Sequence, residues 1–297
     1  MPRNGSGTYS PPAGTAAVSL QPISSTAYNG FINDLSSEIT NSLPTTGVKA
    51  MGANLPMGGN QIKSMADPSA STDAATKNYV DNVTHGKIVN IQVIAATGTY
   101  TRSANATEGD IYGIGPGGGG AGSSTTGAGQ WSASSGGGSG SYAALYNTPL
   151  PATATVTIGA QGAAGAIAGT GGTGGTSTFV GGSINLSLPG GVGGIAMGPV
   201  SASVTNFVQG GLGAAVATGG TVNSGGTNGA ISGLANSSPL AGAGAPGPWG
   251  GAGRNLGSSP ATGPGAGGGP GLNFVGSNTG TVGGIGGISL FIVVERT

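Results

Sequence analysis

A chain of 297 residues has room for two domains at ordinary domain sizes, and its eight Lys/Arg and eight Asp/Glu cancel to zero net charge. The basic residues are scattered, which excludes the cationic footprint that nucleic-acid binding requires. The chain has no cysteine for a disulfide or a thiolate metal site, and no apolar run near the ~20 residues of a membrane span. Sixty-seven glycines hold the hydrophobic content to 36%, low for an enzyme.

Three regions separate by composition. Residues 1–21 are rich in Gly, Pro, Ser and Thr and read as an extended attachment arm. The stretch Met1-Pro2-Arg3-Asn4-Gly5-Ser6-Gly7 has no apolar core, so no secretory signal is expected and synthesis in a cytoplasm is. Residues 22–90 hold more than half of the charged side chains and read as short helices. The best helix runs over 24–42, capped by Ser24 or Ser25 and stopped by Pro44. Tyr28, Phe31, Ile32, Leu35, Ile39 and Leu43 recur at spacings of three and four, giving one apolar stripe. Such a helix is marginal alone. Either copies of itself cover the stripe in a symmetric oligomer, or the next helix of the same chain does. That second helix is predicted over 72–83, with Ala75, Tyr79 and Val83 on one face.

From residue 91 to 297 the chain reads as a mainly β, glycine-rich distal domain. Strands are predicted over 88–95, 154–158 and 288–294 from their β-branched clusters. Between Ile111 and Val294 the only charged side chain is Arg254. Disordered chains stay soluble through charge, and packed cores need large side chains. This stretch has little of either, which leaves an ordered structure held by backbone hydrogen bonds. Glycine triplets recur in Gly171-Gly172-Thr173-Gly174-Gly175-Thr176, Gly190-Gly191-Val192-Gly193-Gly194-Ile195 and Gly283-Gly284-Ile285-Gly286-Gly287-Ile288. The uninterrupted repeat of collagen is absent, but three residues per turn is polyproline II geometry. Short polyglycine II-like helices with flanking strands account for this composition better than a β-solenoid, which would need aliphatic residues at a fixed long period.

The stretch Leu55-Pro56-Met57-Gly58-Gly59-Asn60-Gln61-Ile62-Lys63-Ser64-Met65-Ala66-Asp67-Pro68, followed by Ser71-Thr72-Asp73-Ala74-Ala75-Thr76-Lys77-Asn78-Tyr79-Val80-Asp81, resembles a repeat of bacteriophage tail fibres. There it links an N-terminal attachment part to a receptor-facing part. Pro2-Arg3-Asn4-Gly5-Ser6-Gly7-Thr8-Tyr9-Ser10 and Ile23-Ser24-Ser25-Thr26 resemble the opening of such chains. Gly98-Thr99-Tyr100-Thr101, the run 117–120, Gly140-Ser141-Tyr142-Ala143, the strand 153–159, Thr178-Phe179-Val180-Gly181 and the strand 288–294 are similar to a glycine-rich distal fibre domain. Gly113-Ile114-Gly115-Pro116 departs from it by lacking an aromatic before the glycines. The resemblance implies an elongated homotrimer in the virion tail. Its N-terminus would meet a tail or baseplate protein, and its glycine-rich end a host outer-surface saccharide or membrane protein. The alternative is a structural spacer of a virion or prophage, without receptor binding.

Chemistry has little to work with. The run 117–120 lacks the lysine of a phosphate loop, since none follows Lys87. The carboxylate pair of a glycosidase has no candidate between Ile111 and Val294, and Glu108 and Asp110 read as solvated turn residues. His85 is either a solvated turn residue or, on a three-fold axis, one ligand of an ion. No enzyme, cofactor or metal is expected. The few side chains able to make a specific contact are Trp131, Trp249, Arg254 and Asn255, in the segments 125–135 and 245–255. Each meets either a receptor or its own fold.

Overall fold

The computed structural model describes residues 22, 24–41, 54, 57–83, 87–201, 203–235, 238–255, 257–274 and 276–297. The attachment arm 1–21, Leu43 and His85 lie outside these. The chain divides into two compact units, Met1–Ser69 and Ala70–Thr297.

In the first unit, α1 (Ser25–Asn41) begins where expected. Ser24 caps it, its hydroxyl accepting the Ala27 N–H and its carbonyl the Tyr28 N–H. Along the stripe Phe31 and Leu35 are half-buried, while Tyr28, Ile32 and Ile39 are exposed. In the second unit, α2 (Lys77–Val83) is five residues shorter at its start than the pattern over 72–83 predicts. Residues 70–73 form a turn closed by the Asp73 carboxylate, which accepts the Ala70 N–H at 2.8 Å. Thr76 then caps the helix through the Tyr79 N–H at 3.0 Å. A short polar side chain bonding its own backbone has outcompeted the first helical turn.

The strands are β1 (Ile88–Ile94), β2 (Gly98–Thr101), β3 (Glu108–Ile114), β4 (Gln130–Ala133), β5 (Tyr142–Pro149), β6 (Thr153–Thr157), β7 (Ser177–Gly181) and β8 (Ile184–Leu188). After these come β9 (Val200–Ser201), β10 (Asn206–Val208), β11 (Val222–Ser224), β12 (Ser232–Ala235), β13 (Ser238–Leu240), β14 (Leu272–Asn273) and β15 (Leu290–Arg296). The fold is mainly β. An antiparallel sheet in the order β1-β15-β3-β5-β11 packs on another in the order β2-β6-β7-β8. Their facing residues alternate along each strand and form one core, including Tyr100, Ile111, Val156, Phe179, Leu186, Leu188, Phe291 and Val293. Phe179 sits at its centre, 5.4 Å from the Tyr100 ring and 5.8 Å from the Phe291 ring.

Asp110, expected in a solvated turn, is a buried residue of β3. It pairs with Arg296 across β15 and accepts the Asn147 N–H at 2.9 Å. The β15 strand runs two residues past the predicted end at Val294, which brings Arg296 alongside.

At one end of the sandwich the strands continue as extended glycine-rich segments. Residues 115–124 leave β3, 134–141 enter β5, 159–168 leave β6, 169–176 enter β7, 189–198 leave β8 and 281–288 enter β15. Successive N–H groups of 115–124 turn to three neighbours in rotation. Gly117, Gly120 and Ser123 donate to Gly287, Gly284 and Thr281; Gly118 and Ala121 to Gly138 and Ser135; Gly119 and Gly122 to Gly172 and Gly169. Its carbonyls at 117 and 120, at 116 and 119, and at 118 and 121 accept from 162 and 165, from 191 and 194, and from 268 and 271. The segment therefore donates to three antiparallel neighbours and accepts from three parallel ones, at 2.7 to 3.0 Å. Six neighbours surround it.

The glycines of this array are not there for left-handed backbone; of residues 115–124 none has positive φ. They are there for closeness. A Cβ on Gly117, Gly119 or Gly120 would stand 1.8, 1.9 and 1.9 Å from the carbonyl oxygens of Ala266, Ala163 and Gly269. Glycine thus exchanges side-chain packing for a backbone bonded on every side, each bond contributing a net ~0.5–1.5 kcal/mol.

Candidate functional site

The far end of the array is closed by short strands and the loops between them. β14, β4 and β9 form one small sheet, and β10, β12 and β13 another beside it. They are held by polar side chains bonding backbone, as a tip without a hydrophobic core requires. Ser132 Oγ donates to the Met197 carbonyl at 2.7 Å, and Asn273 Nδ2 to those of Ser124 and Thr279 at 2.8 and 2.7 Å. Thr126 Oγ1 donates to the Phe274 carbonyl at 2.8 Å, and Ser232 Oγ to that of Ser134 at 2.7 Å. The turn before β4 closes on Gln130, whose amide oxygen accepts the Gly127 N–H at 3.0 Å.

Trp131 lies here, on β4 rather than in a loop. Its ring meets Phe274 edge-on at 6.3 Å. Its indole N–H is withdrawn from solvent and has no acceptor, so ring packing alone orients it. Phe274 against it stands exposed, and so do Val204 after β9 and Phe207 and Leu240 on β10 and β13. With Arg254 the only charge between Ile111 and Val294, the surface at this end is apolar, hydroxyl and amide.

Trp249 is elsewhere. The array runs from Ala133 on β4 to Tyr142 on β5 through eight residues, roughly 25 Å at the rise of an extended three-fold helix. Trp249 is at the Tyr142 end, with ring centroids 5.9 Å apart, in a turn closed by Gly247 N–H on the Gly250 carbonyl. Arg254 and Asn255 are exposed on the flank of the array, where the Arg254 backbone lies against Gly269. The four residues singled out in the sequence thus do not converge. Trp131 belongs to the tip, Trp249 to the junction with the sandwich, and Arg254 and Asn255 to the side between.

Phe207 and Phe274 escaped the sequence reading. The available signal was the one that marked Trp131: an aromatic in a short polar stretch where a glycine run stops, as in Leu272-Asn273-Phe274 and Thr205-Asn206-Phe207.

Within the sandwich one ionisable cluster is buried. Glu295 accepts from the Tyr100 hydroxyl at 2.6 Å, from Gln92 Nε2 at 2.9 Å and from the Ser103 N–H at 3.2 Å, all on Oε1, while Oε2 is buried without a partner. Burial pushes its carboxyl up, but the hydrogen bonds from Ser103 and Tyr100 outweigh it and hold Glu295 below the usual range. Burial first, then the Glu295 hydrogen bond, raises the Tyr100 phenol. The cluster is sealed between the sheets, a place for structure rather than catalysis.

Among the described residues no group of three His, Cys, Asp or Glu could hold a metal ion, and no helix is long and apolar enough to cross a membrane. No family model matches the sequence, and no curated protein is significantly similar to it.

Proposed function

We propose that this chain is a fibre or receptor-binding protein of a bacteriophage tail. It would act as a homotrimer, anchored to a tail or baseplate protein by its N-terminal part and meeting the host surface with its glycine-rich end. In this reading the glycine segments are a polyglycine II-type lattice, as the rotation of their hydrogen bonds through three neighbours supports. The lattice is a rod whose length sets the tip apart from the sandwich and whose loops can differ without disturbing it.

The observation that carries the reading is the tip itself. Phe274 stands exposed against Trp131, and Phe207 stands exposed on β10 of the second small sheet, on a support fixed by hydrogen bonds, an arrangement a purely soluble spacer has no use for. Aromatic anchors of this kind dominate binding interfaces. Their neutral, apolar surroundings favour an outer-membrane protein over an anionic saccharide. The exposed residues of the α1 stripe, Tyr28, Ile32 and Ile39, the last 66% exposed, support oligomerisation through that helix. The protein would be made in the host cytoplasm, assemble into the virion tail, and act by binding, without catalysis or cofactor.

Purified protein at saturating concentration should block adsorption of the virus that carries it. Absence of blocking would favour the second reading, a spacer. The aromatic tip speaks against it.

A further inference from the structure

At Gly117, Gly119 and Gly120 of the array a neighbouring carbonyl takes the place of a Cβ. At Gly233, on β12 of the second small sheet, a ring takes it. A Cβ there would stand 2.2 Å from Phe207 Cδ1 and 2.7 Å from its Cε1. Gly233 has no positive φ, so its backbone does not ask for glycine. Phe207 on β10 and Leu240 on β13 are its register partners, and antiparallel partners share a face of the sheet. Phe207 is 60% exposed and Leu240 59%, and Ile231 stands exposed just before β12. The opposite face is fixed from below. Ser232 is buried, its Oγ donating to the Ser134 carbonyl and accepting the Gly242 N–H, both at 2.7 Å. Gly233 itself is buried under the ring.

We infer that Gly233 is a positioning residue for receptor binding. It lets the Phe207 ring lean over β12, so that Phe207 and Leu240 form a seat for an aliphatic or aromatic side chain on a protein loop of the host surface. The inference rests on the receptor reading above and names the chemistry of one contact. Covering a strand glycine with a ring also steadies a sheet, but that alone gives no reason for Leu240 and Ile231 to stand bare beside it. Size and polarity select the occupant. Three strands at ordinary spacing, over two or three residues, present roughly 150 Å². That is far below the ~800 Å² per partner of a stable interface, too small to hold a second copy and suited to one or two side chains. Among the described side chains of the three strands, none on this face has a hydrogen-bonding group. A sugar set between Phe207 and Leu240 would bury hydroxyls without partners, at about 1–3 kcal/mol each. An apolar side chain loses nothing there, and a ring already held in place has little freedom left to lose on binding.

The test titrates the full-length protein and its variants as blockers of adsorption. Phe207→Ala, Leu240→Ser and Gly233→Ala should each raise the half-blocking concentration about tenfold, as loss of a binding anchor does, while melting close to the wild type. Because Gly233→Ala acts through the ring, adding it to Phe207→Ala should cost nothing more. Protease treatment of the host cells should abolish binding of the wild-type protein, and periodate oxidation of their surface sugars should leave it. Unchanged blocking by Phe207→Ala and Leu240→Ser overturns the seat while the receptor reading stands. A further loss from Gly233→Ala on top of Phe207→Ala, or unfolding of Gly233→Ala alone, overturns the positioning role. Loss of binding after periodate gives the contact to a saccharide and overturns the occupant. Absence of blocking by the wild-type protein overturns the receptor reading and the inference with it.

Discussion

The hydroxyl of Tyr100 on β2 donates to the carboxylate of Glu295 on β15 at 2.6 Å, a hydrogen bond between residues 195 apart that ties one sheet of the sandwich to the other. Buried side chains such as Phe179, Phe291 and Val293 fill most of that interface, so the bond operates in low dielectric, where charge-assisted pairs are strong and unpaired ones costly.

A pH dependence follows from this pair. Glu295 has its pKa lowered by folding from the ordinary 4.5. Its contribution is present above that value and lost as pH falls through the folded-state pKa. Tyr100 is raised above the ordinary 10.0, so its contribution is present below pH 10 and lost as pH rises further. Thermal stability should be flat between about pH 5 and about pH 10 and fall on both sides. Glu295→Gln should lower stability at neutral pH by about 1–3 kcal/mol and flatten the acid limb, read by thermal melts across the series. An acid limb unchanged in the variant would assign it to other carboxylates.

Closeness, not backbone freedom, is what the array asks of glycine, and alanine separates the two. At Gly119 the new methyl would enter the Ala163 carbonyl, and Gly119→Ala should destabilise by more than 3 kcal/mol, as overpacking against unyielding backbone does. Gly198 has nothing within 4 Å of its Cβ position and no positive φ. Gly198→Ala should be neutral or stabilise by about 0.4–1 kcal/mol through the unfolded chain. Denaturant melts of the two variants decide it.

The aromatics of the tip and of the junction should part company. Phe274→Ala removes an exposed ring and should leave the melting temperature within a few degrees while weakening adsorption at least tenfold, the loss of a binding anchor. Trp131→Phe keeps the edge contact and removes an N–H without an acceptor, and should be neutral or stabilising. Trp249→Ala, 25 Å away by the reckoning above, should leave adsorption unchanged. If Trp249→Ala alone abolishes adsorption, receptor contact lies at the junction.

The α1 stripe is tested in the intact chain. Light scattering should give three times the 27.7 kDa chain mass. Leu35→Asp, placing a charge in the middle of the stripe, should lower the mass toward the monomer. A wild-type chain that stays monomeric and folded at micromolar concentration would remove the oligomer.

Where side chains decide, the sequence was legible. The stripe and Ser24 located α1 to within a residue, and the β-branched runs located β1, β6 and most of β15. Residues 72–76 misled because Asp73 and Thr76 serve turns and caps while counting as helix in a periodicity. Asp110 misled because its partner, Arg296, is 186 residues away. The site was half legible. Trp131 stands out against glycine in any reading, but its separation from Trp249 is a matter of register between segments that all spell the same residue. Glycine records that neighbours are near without recording which.

The segment 115–124 is the first of the array to emerge from a ribosome, and the partners of its backbone reach to Gly287. It has no apolar face to hide meanwhile, and no local hydrogen bonds to hold it. Closing the array therefore waits for nearly the whole chain, through contacts of long sequence separation, which makes folding slow and largely post-translational. A cell that makes this protein holds for that interval a long, neutral, backbone-exposed strand, the kind of chain most in need of an escort.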